Sequence, residues 1–254
     1  VKFYLGVHEP AWLRRTSVPL FISRRRLARL QSLPVAAGAW ALDSGGFTEV
    51  TKHGGWSVSA SAYAREVLHY QREIGGMTWA APQDWMVEPF ALEATGLTIR
   101  DHQRLTVENF HQLRTLLGGL VVPVVQGWVG DDYLRHVDAY DHAGYDLTTE
   151  RLVGIGSICR KGVDSDVVRI IDLVARQGVS VHAFGVRTRA MQRAADVLTS
   201  CDSQAWSRDA RWAAAHGYRG ECGKPTCQNC LHAALTWRDE QVGRLTHERL
   251  ELWA

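Results

Sequence analysis

The 254 residues, 46% of them hydrophobic, suffice for one sizeable core and leave no room for a second large domain. No apolar run approaches the roughly 20 residues that cross a bilayer, and the opening VKFYLGVHEP lacks signal-peptide order, so a cytoplasmic protein with no membrane partner is expected. A formal net charge of +2 neither announces nor excludes a polyanionic partner.

Short apolar or β-branched runs alternate along the chain with longer stretches of helical period, the pattern of a parallel sheet. The runs are Phe3 to Val7, Pro19 to Ile22, Ala39 to Asp43, Thr78 to Gln83, Val121 to Gln126, Val153 to Ser157, Val179 to Phe184 and Val197 to Asp202. Between them the spacing predicts helices over Ser59 to Ile74, Ile99 to Leu117, Tyr133 to Ala143 and Asp164 to Gln177. Eight strands close a (β/α)8 TIM-type barrel, whereas six or seven suit an open doubly wound sheet. The predicted division is a catalytic barrel over 1–206 and a zinc-binding appendage over 207–254, the latter with a helix over Ala233 to Leu245. Arg24, Arg25 and Arg26, beside Arg14, Arg15 and Arg29, are a candidate phosphate contact or a solvated helix face.

In a barrel the polar strand tails converge on one face. Here they read LDSGGF (42–47), APQDW (81–85), VVQGW (124–128), GIGS (154–157) and SCDS (200–203). Asp43, Asp84 and Asp202 each follow apolar residues, where an ionised carboxylate is costly unless paired or functional. Any one of them alone reads rather as a helix cap or turn former; three in one pocket imply catalysis. Cys222, Cys227 and Cys230 form C-x4-C-x2-C, a structural zinc pattern that needs a fourth ligand, while Cys159 and Cys201 read as packing residues. His182 reads as a hydrogen-bonded structural histidine, with a ligand or acid-base role as the alternative.

The same words in the same order resemble the tRNA-guanine transglycosylase superfamily, and within it the DNA-directed branch of 7-deazaguanine DNA transglycosylases, DpdA. They are WALDSGGF (40–47), APQDWM (81–86), QGW (126–128), GIGS (154–157), FGV (184–186), Asp202 to Ser207 and Cys227 to Cys230, so the likeness runs from about residue 2 to 250. The resemblance implies exchange of guanine in DNA for a 7-deazaguanine base such as 7-cyano-7-deazaguanine, with tRNA as the alternative polymer for the same mechanism. Asp202 would be the nucleophile that forms a covalent glycosyl-enzyme intermediate, and Asp43 the acid-base residue. Ser44, Gly45 and Gly46 would lie against the substrate. Asp84 would accept from the guanine N1–H and amine while Gln126, followed by Gly127, donates to its carbonyl. Gly154, Gly156 and Gly185 would complete the base contact, and Phe47 with Phe184 would sandwich the ring, or else serve as core filling. Structural zinc would be held by Cys222, Cys227, Cys230 and His247, with His232 and His216 as the other candidates for the fourth position. Partner proteins that prepare the DNA are compatible with this reading, and oligomeric state is open. The competing readings are a metal-dependent barrel hydrolase, disfavoured by the lack of an H-x-H strand tail, and a non-catalytic nucleic-acid-binding protein.

Overall fold

The computed structural model describes residues 1–217 and 226–251, the side chains of 246–251 excepted. Eight strands form one sheet: β1 (Lys2–Val7), β2 (Leu20–Ser23), β3 (Trp40–Asp43), β4 (Met77–Ala80), β5 (Val124–Val125), β6 (Val153–Ile155), β7 (Val181–Ala183) and β8 (Leu198–Ser203). Their order is β4-β3-β2-β1-β8-β7-β6-β5 and every ladder is parallel. This is the circular order of a barrel opened between β4 and β5. Across that seam the described residues show a single bridge, Ala80 to Val121, with Val122 N–H donating to Ala80 O at 3.2 Å. The expected strand over Val121 to Gln126 is cut to two residues. Pro123 sits in its middle and has no N–H to give a ladder, although its carbonyl still accepts from Gly154 N–H at 2.8 Å. The architecture is therefore an α/β fold with a curled, eight-stranded parallel half-barrel surrounded by helices.

The helices are α1 (Arg24–Leu27), α2 (Gly46–His53), α3 (Ala60–Ile74), α4 (Pro89–Thr95), α5 (Ile99–Leu117), α6 (Gly130–His142), α7 (Asp164–Ala175), α8 (Thr188–Arg193), α9 (Ala205–Ala215) and α10 (Leu231–Glu251). Their starts follow the sequence. Ser59 Oγ accepts from Ala62 N–H ahead of α3, and Thr98 with Asp101 closes a reciprocal capping box on α5.

Period-two alternation sorts the strand residues into two layers. Leu5, Ile22, Leu42 and Ile155 join the buried helix faces in the main core, including Tyr63, Val67, Phe110 and Tyr140. Their neighbours Tyr4, Phe21, Ala41 and Trp79 form a second, aromatic cluster with Val122 and Leu152 inside the curl. The domain boundary drawn at 206 falls inside α9, and α10 lies on the barrel: Ala234 and Leu245 are buried in the main core, and Trp237 stands 6.1 Å from the Phe3 ring.

Candidate active site

The five strand tails arrive at one end of the sheet. Asp43 ends β3 in register with Ser23 of β2, and Asp202 lies in β8 opposite Tyr4 of β1. Asp84 lies four residues beyond β4 in a loop pinned from both sides. Tyr63 of α3 donates to Ala81 O at 2.7 Å, Asn109 of α5 donates to Gln83 O at 2.8 Å, and Trp85 N–H donates to Thr106 Oγ1 at 2.8 Å. The site is thus a consequence of helix packing as much as of strand ends.

The three carboxylates share one electrostatic neighbourhood. Burial pushes the Asp43 carboxyl above its usual range, against the Ser23 hydroxyl and Gly45 N–H, and the Asp202 charge adds to the rise. Burial, reinforced by Asp43, raises Asp84 to about 7, against its hydrogen bond from Gln126. Gln126 Nε2 donates to Asp84 Oδ2 at 2.5 Å, and Ser44 Oγ donates to Oδ1 at 3.4 Å. The residues assigned to the base edge therefore contact one another directly.

Asp202 is almost fully buried, and its Oδ1 is held from two sides. Gly185 N–H donates to it at 2.9 Å, which needs the left-handed backbone that Gly185 adopts at φ 57°. His182 Nε2 stands 3.4 Å from the same oxygen, while its Nδ1 meets Ser200 Oγ at 2.9 Å. Oδ2 makes no hydrogen bond among the described residues and is the oxygen left for other work. His182 is fully buried in a box of Tyr4, Phe21, Trp79 and Phe184 rings, with centroids 4.7 to 6.1 Å away. The sequence reading of His182 as a structural histidine missed its position beside Asp202. The signal is the strand register, which pairs His182 with Ser200 and Ala183 with Cys201.

Phe47 and Phe184 are not brought face to face. Phe184 belongs to the aromatic box, over the backbone of Gly154. Phe47 is 42% exposed on α2, 5.9 Å from the Phe90 ring, and Arg160 lies over both rings at 4.4 and 5.3 Å. Gly127 separates Gln126 from the tryptophan of the same tail, Trp128, whose ring lies 3.9 Å from Lys161 Nζ. Phe90, Arg160 and Lys161 were not singled out in the sequence, and Trp128 only as the last residue of QGW. Glu88, Phe90, Glu93, Trp128 and Arg160 line a recess of about 500 Å³. The arginine cluster is largely committed elsewhere: buried Arg24 binds Glu66 at 2.5 Å, Arg25 binds Glu49 at 3.0 Å, and Arg26 reaches His8 at 3.4 Å. Of the three, only Arg26 has no carboxylate partner among the described residues.

The candidate zinc ligands divide. Cys222 and the His247 side chain lie outside the described residues, and among the described residues no three His, Cys, Asp or Glu side chains gather into a metal cluster. The two remaining thiols fit a tetrahedral site locally. Cys230 N–H donates to Cys227 O at 3.0 Å, closing a tight turn at the start of α10, and Ser207 Oγ of α9 donates to Gln228 O at 2.9 Å. His216 stacks on Trp212 at 4.1 Å, and His232 is exposed on the first turn of α10. If thiolates hold metal here, Cys227→Ala is expected to lower bound zinc and thermal stability together; retention of both, by metal analysis and thermal melting, would exclude a structural site.

The sequence profile described as "DpdA: DeoxyPurine in DNA protein A" matches residues 1–251. The chain belongs to the DpdA family. That family places it among DNA-modifying, 7-deazaguanine transglycosylase-type enzymes. No curated protein matches it in sequence. Among solved structures, a candidate fructose-1,6-biphosphate aldolase from Coccidioides immitis is similar in fold, with TM-score 0.50 and 9% identity over 98% of this chain and 93% of that one. A candidate isomerase from Sinorhizobium meliloti in an open-loop conformation aligns with TM-score 0.40 and 11% identity over 79% of this chain and 49% of that one. Identities this low speak to fold alone. No described helix is long and apolar enough to cross a membrane.

Proposed function

We propose that this DpdA-family chain exchanges guanine in DNA for a 7-deazaguanine base through a covalent aspartyl-glycosyl intermediate. The single observation that supports it best is the coupling of three carboxyl groups at one end of the sheet: Asp43 lies within electrostatic reach of both Asp202, with one carboxylate oxygen anchored, and the Asp84–Gln126 pair joined at 2.5 Å.

In the first half-reaction Asp202 Oδ2 bonds to the sugar C1′ as the bond from C1′ to guanine N9 breaks, and the electron pair leaves with the base. Asp43, whose carboxyl burial pushes toward the acid form, supplies the proton that the departing purine takes up. In the second half the Asp43 carboxylate removes the corresponding proton from the incoming 7-deazaguanine. The freed nitrogen then attacks C1′ and releases Asp202. Two displacements at one carbon give net retention. Asp84 accepts from N1–H and the exocyclic amine and Gln126 donates to the carbonyl, a pattern that adenine presents in reverse. The target base must leave the duplex stack to reach these carboxylates, and the exposed Phe47 and Arg160, with the half-buried Lys161, suit the flanking strand. Zinc, held by Cys227 and Cys230 with Cys222 and His247, would brace α10 on the barrel and stay out of the chemistry.

The test is incubation with DNA and, in parallel, tRNA, each with 7-cyano-7-deazaguanine, followed by nucleoside analysis. Modified deoxynucleoside is the expected product. Modification of tRNA alone would move the substrate to RNA, and modification of neither would remove the exchange reading.

A further inference from the structure

Glu88 is buried, has no salt bridge among the described residues, and has no part in the chemistry above. It nevertheless connects to the site. One of its carboxyl oxygens lies 2.8 Å from Ser157 Oγ, and Ser157 Oγ lies 2.7 Å from Gln126 Oε1. The remaining Gln126 amide atom, Nε2, meets Asp84. Ser157 Oγ also accepts from Val87 N–H at 2.8 Å. Four side chains therefore form one line: Glu88, Ser157, Gln126, Asp84.

Counting hydrogens decides how the line runs. An amide oxygen has no proton to give, and a serine hydroxyl has one. If Glu88 were ionised, that one proton would have two acceptors, and one close oxygen pair would be left without a hydrogen between them. The alternative would be a flipped amide, with its oxygen turned toward Asp84. If Glu88 carries a proton, every contact is a hydrogen bond: Glu88 donates to Ser157, Ser157 donates to Gln126 Oε1, and the Ser157 lone pairs are filled by Val87 and Glu88.

The surroundings fix the rest of Gln126. Its N–H donates to His136 Nδ1 at 2.7 Å and its carbonyl accepts from Gln103 Nε2 at 2.7 Å. A side chain at position 156 would overlap its amide, with a Cβ only 2.2 Å from Nε2, so Gly156 lets the amide lie flat against the β6 tail. Ser157 is the one described non-glycine residue with positive φ, 54°, a strained conformation that aims its hydroxyl into the line. Burial favours the acid form of Glu88, against the Ser157 hydroxyl, Arg160 and Lys161, which favour its ionised form, and the Glu88 charge in turn pushes Asp84 up.

We propose that Glu88 is a specificity-determining positioning residue, a carboxylic acid that, through Ser157, locks the Gln126 amide with its NH2 toward Asp84 and the carbonyl edge of the bound base. The inference rests on the reading of Asp84 and Gln126 as the base-edge contacts. A flipped amide would offer oxygen to the purine 6-carbonyl and would welcome a 6-amino group, so the lock selects 6-oxopurines over 6-aminopurines.

Two measurements test it. The infrared difference spectrum between wild type and Glu88→Gln at pH 7 should show loss of one protonated-carboxyl band, and its absence overturns the proton assignment whether or not any base binds. Calorimetric binding of free guanine and adenine should then show the preference falling at least about tenfold in Ser157→Ala and in Glu88→Ala, and surviving in Glu88→Gln, whose amide still donates to Ser157. Undiminished preference in Ser157→Ala, or in Glu88→Ala where the first variant does not fold, overturns the lock. A wild type that shows the band and binds neither base leaves the proton assignment standing; the base-edge reading, and with it the selectivity role, then fails.

Discussion

Asp202→Asn is expected to lower base exchange by about ten-thousand-fold or more and to eliminate the protein–DNA adduct on a denaturing gel. Asparagine keeps the shape of the carboxylate and can still accept from Gly185 N–H, so the fold around β8 has no reason to change. What it loses is the anionic oxygen that bonds to C1′ and leaves again. An amide is too poor a nucleophile to do so, and no other carboxylate has its position: Asp43 is engaged by Ser23 and Gly45, and Asp84 by Gln126. The neighbouring His182 does not replace it, since its Nε2 faces the oxygen already bound by Gly185. Exchange at a wild-type rate in Asp202→Asn would remove the covalent mechanism, even if DNA modification itself were established.

The strands and the carboxylates were legible in the sequence, whereas most of what holds them was not. Strand β8 was expected over Val197 to Asp202 and lies at Leu198–Ser203, because alternation and a polar tail are local signals. Strand β5 was overread through Pro123, whose missing N–H carries a penalty that the apolar run hides. The arginine run illustrates the opposite failure. Arg24 reads as surface charge until tertiary structure brings Glu66, 42 residues away, to 2.5 Å. Glu88 and Ser157, separated by 69 residues, likewise carry no signal of their union. Asp43 and Asp202 were found because each stands at the end of a strand pattern where an acid is conspicuous, and Asp84 because it sits in the APQDW tail just beyond one; Glu88, next to Pro89 at the start of α4, looks like an ordinary helix end.

Asp84 should make both base affinity and stability depend on pH, in opposite directions. Only its carboxylate form can accept two donors from guanine, and burial beside Asp43 raises it to about 7. Affinity for guanine or a 7-deazaguanine is therefore expected to weaken about tenfold per unit as pH falls below 7. Stability runs the other way. The folded value lies above the unfolded value of 3.8, so the contribution is full below about pH 4 and is lost as pH rises through 7. At pH 8 the protein carries an ionised, desolvated carboxylate, whose cost has an upper bound of about 4 kcal/mol at 1.36 kcal/mol per unit. Asp84→Asn removes that cost. The variant should match wild type in denaturant at pH 4 and exceed it at pH 8, while binding the base about a hundredfold more weakly, since its NH2 opposes a ligand donor. A wild-type and variant stability difference that does not change between pH 4 and 8 would show that Asp84 titrates as a solvated acid, and base binding without a pH slope would take it out of the recognition site. Both outcomes bear on the same physical point: a carboxylate buried where a purine's two donors would meet it is costly to ionise until those donors satisfy it.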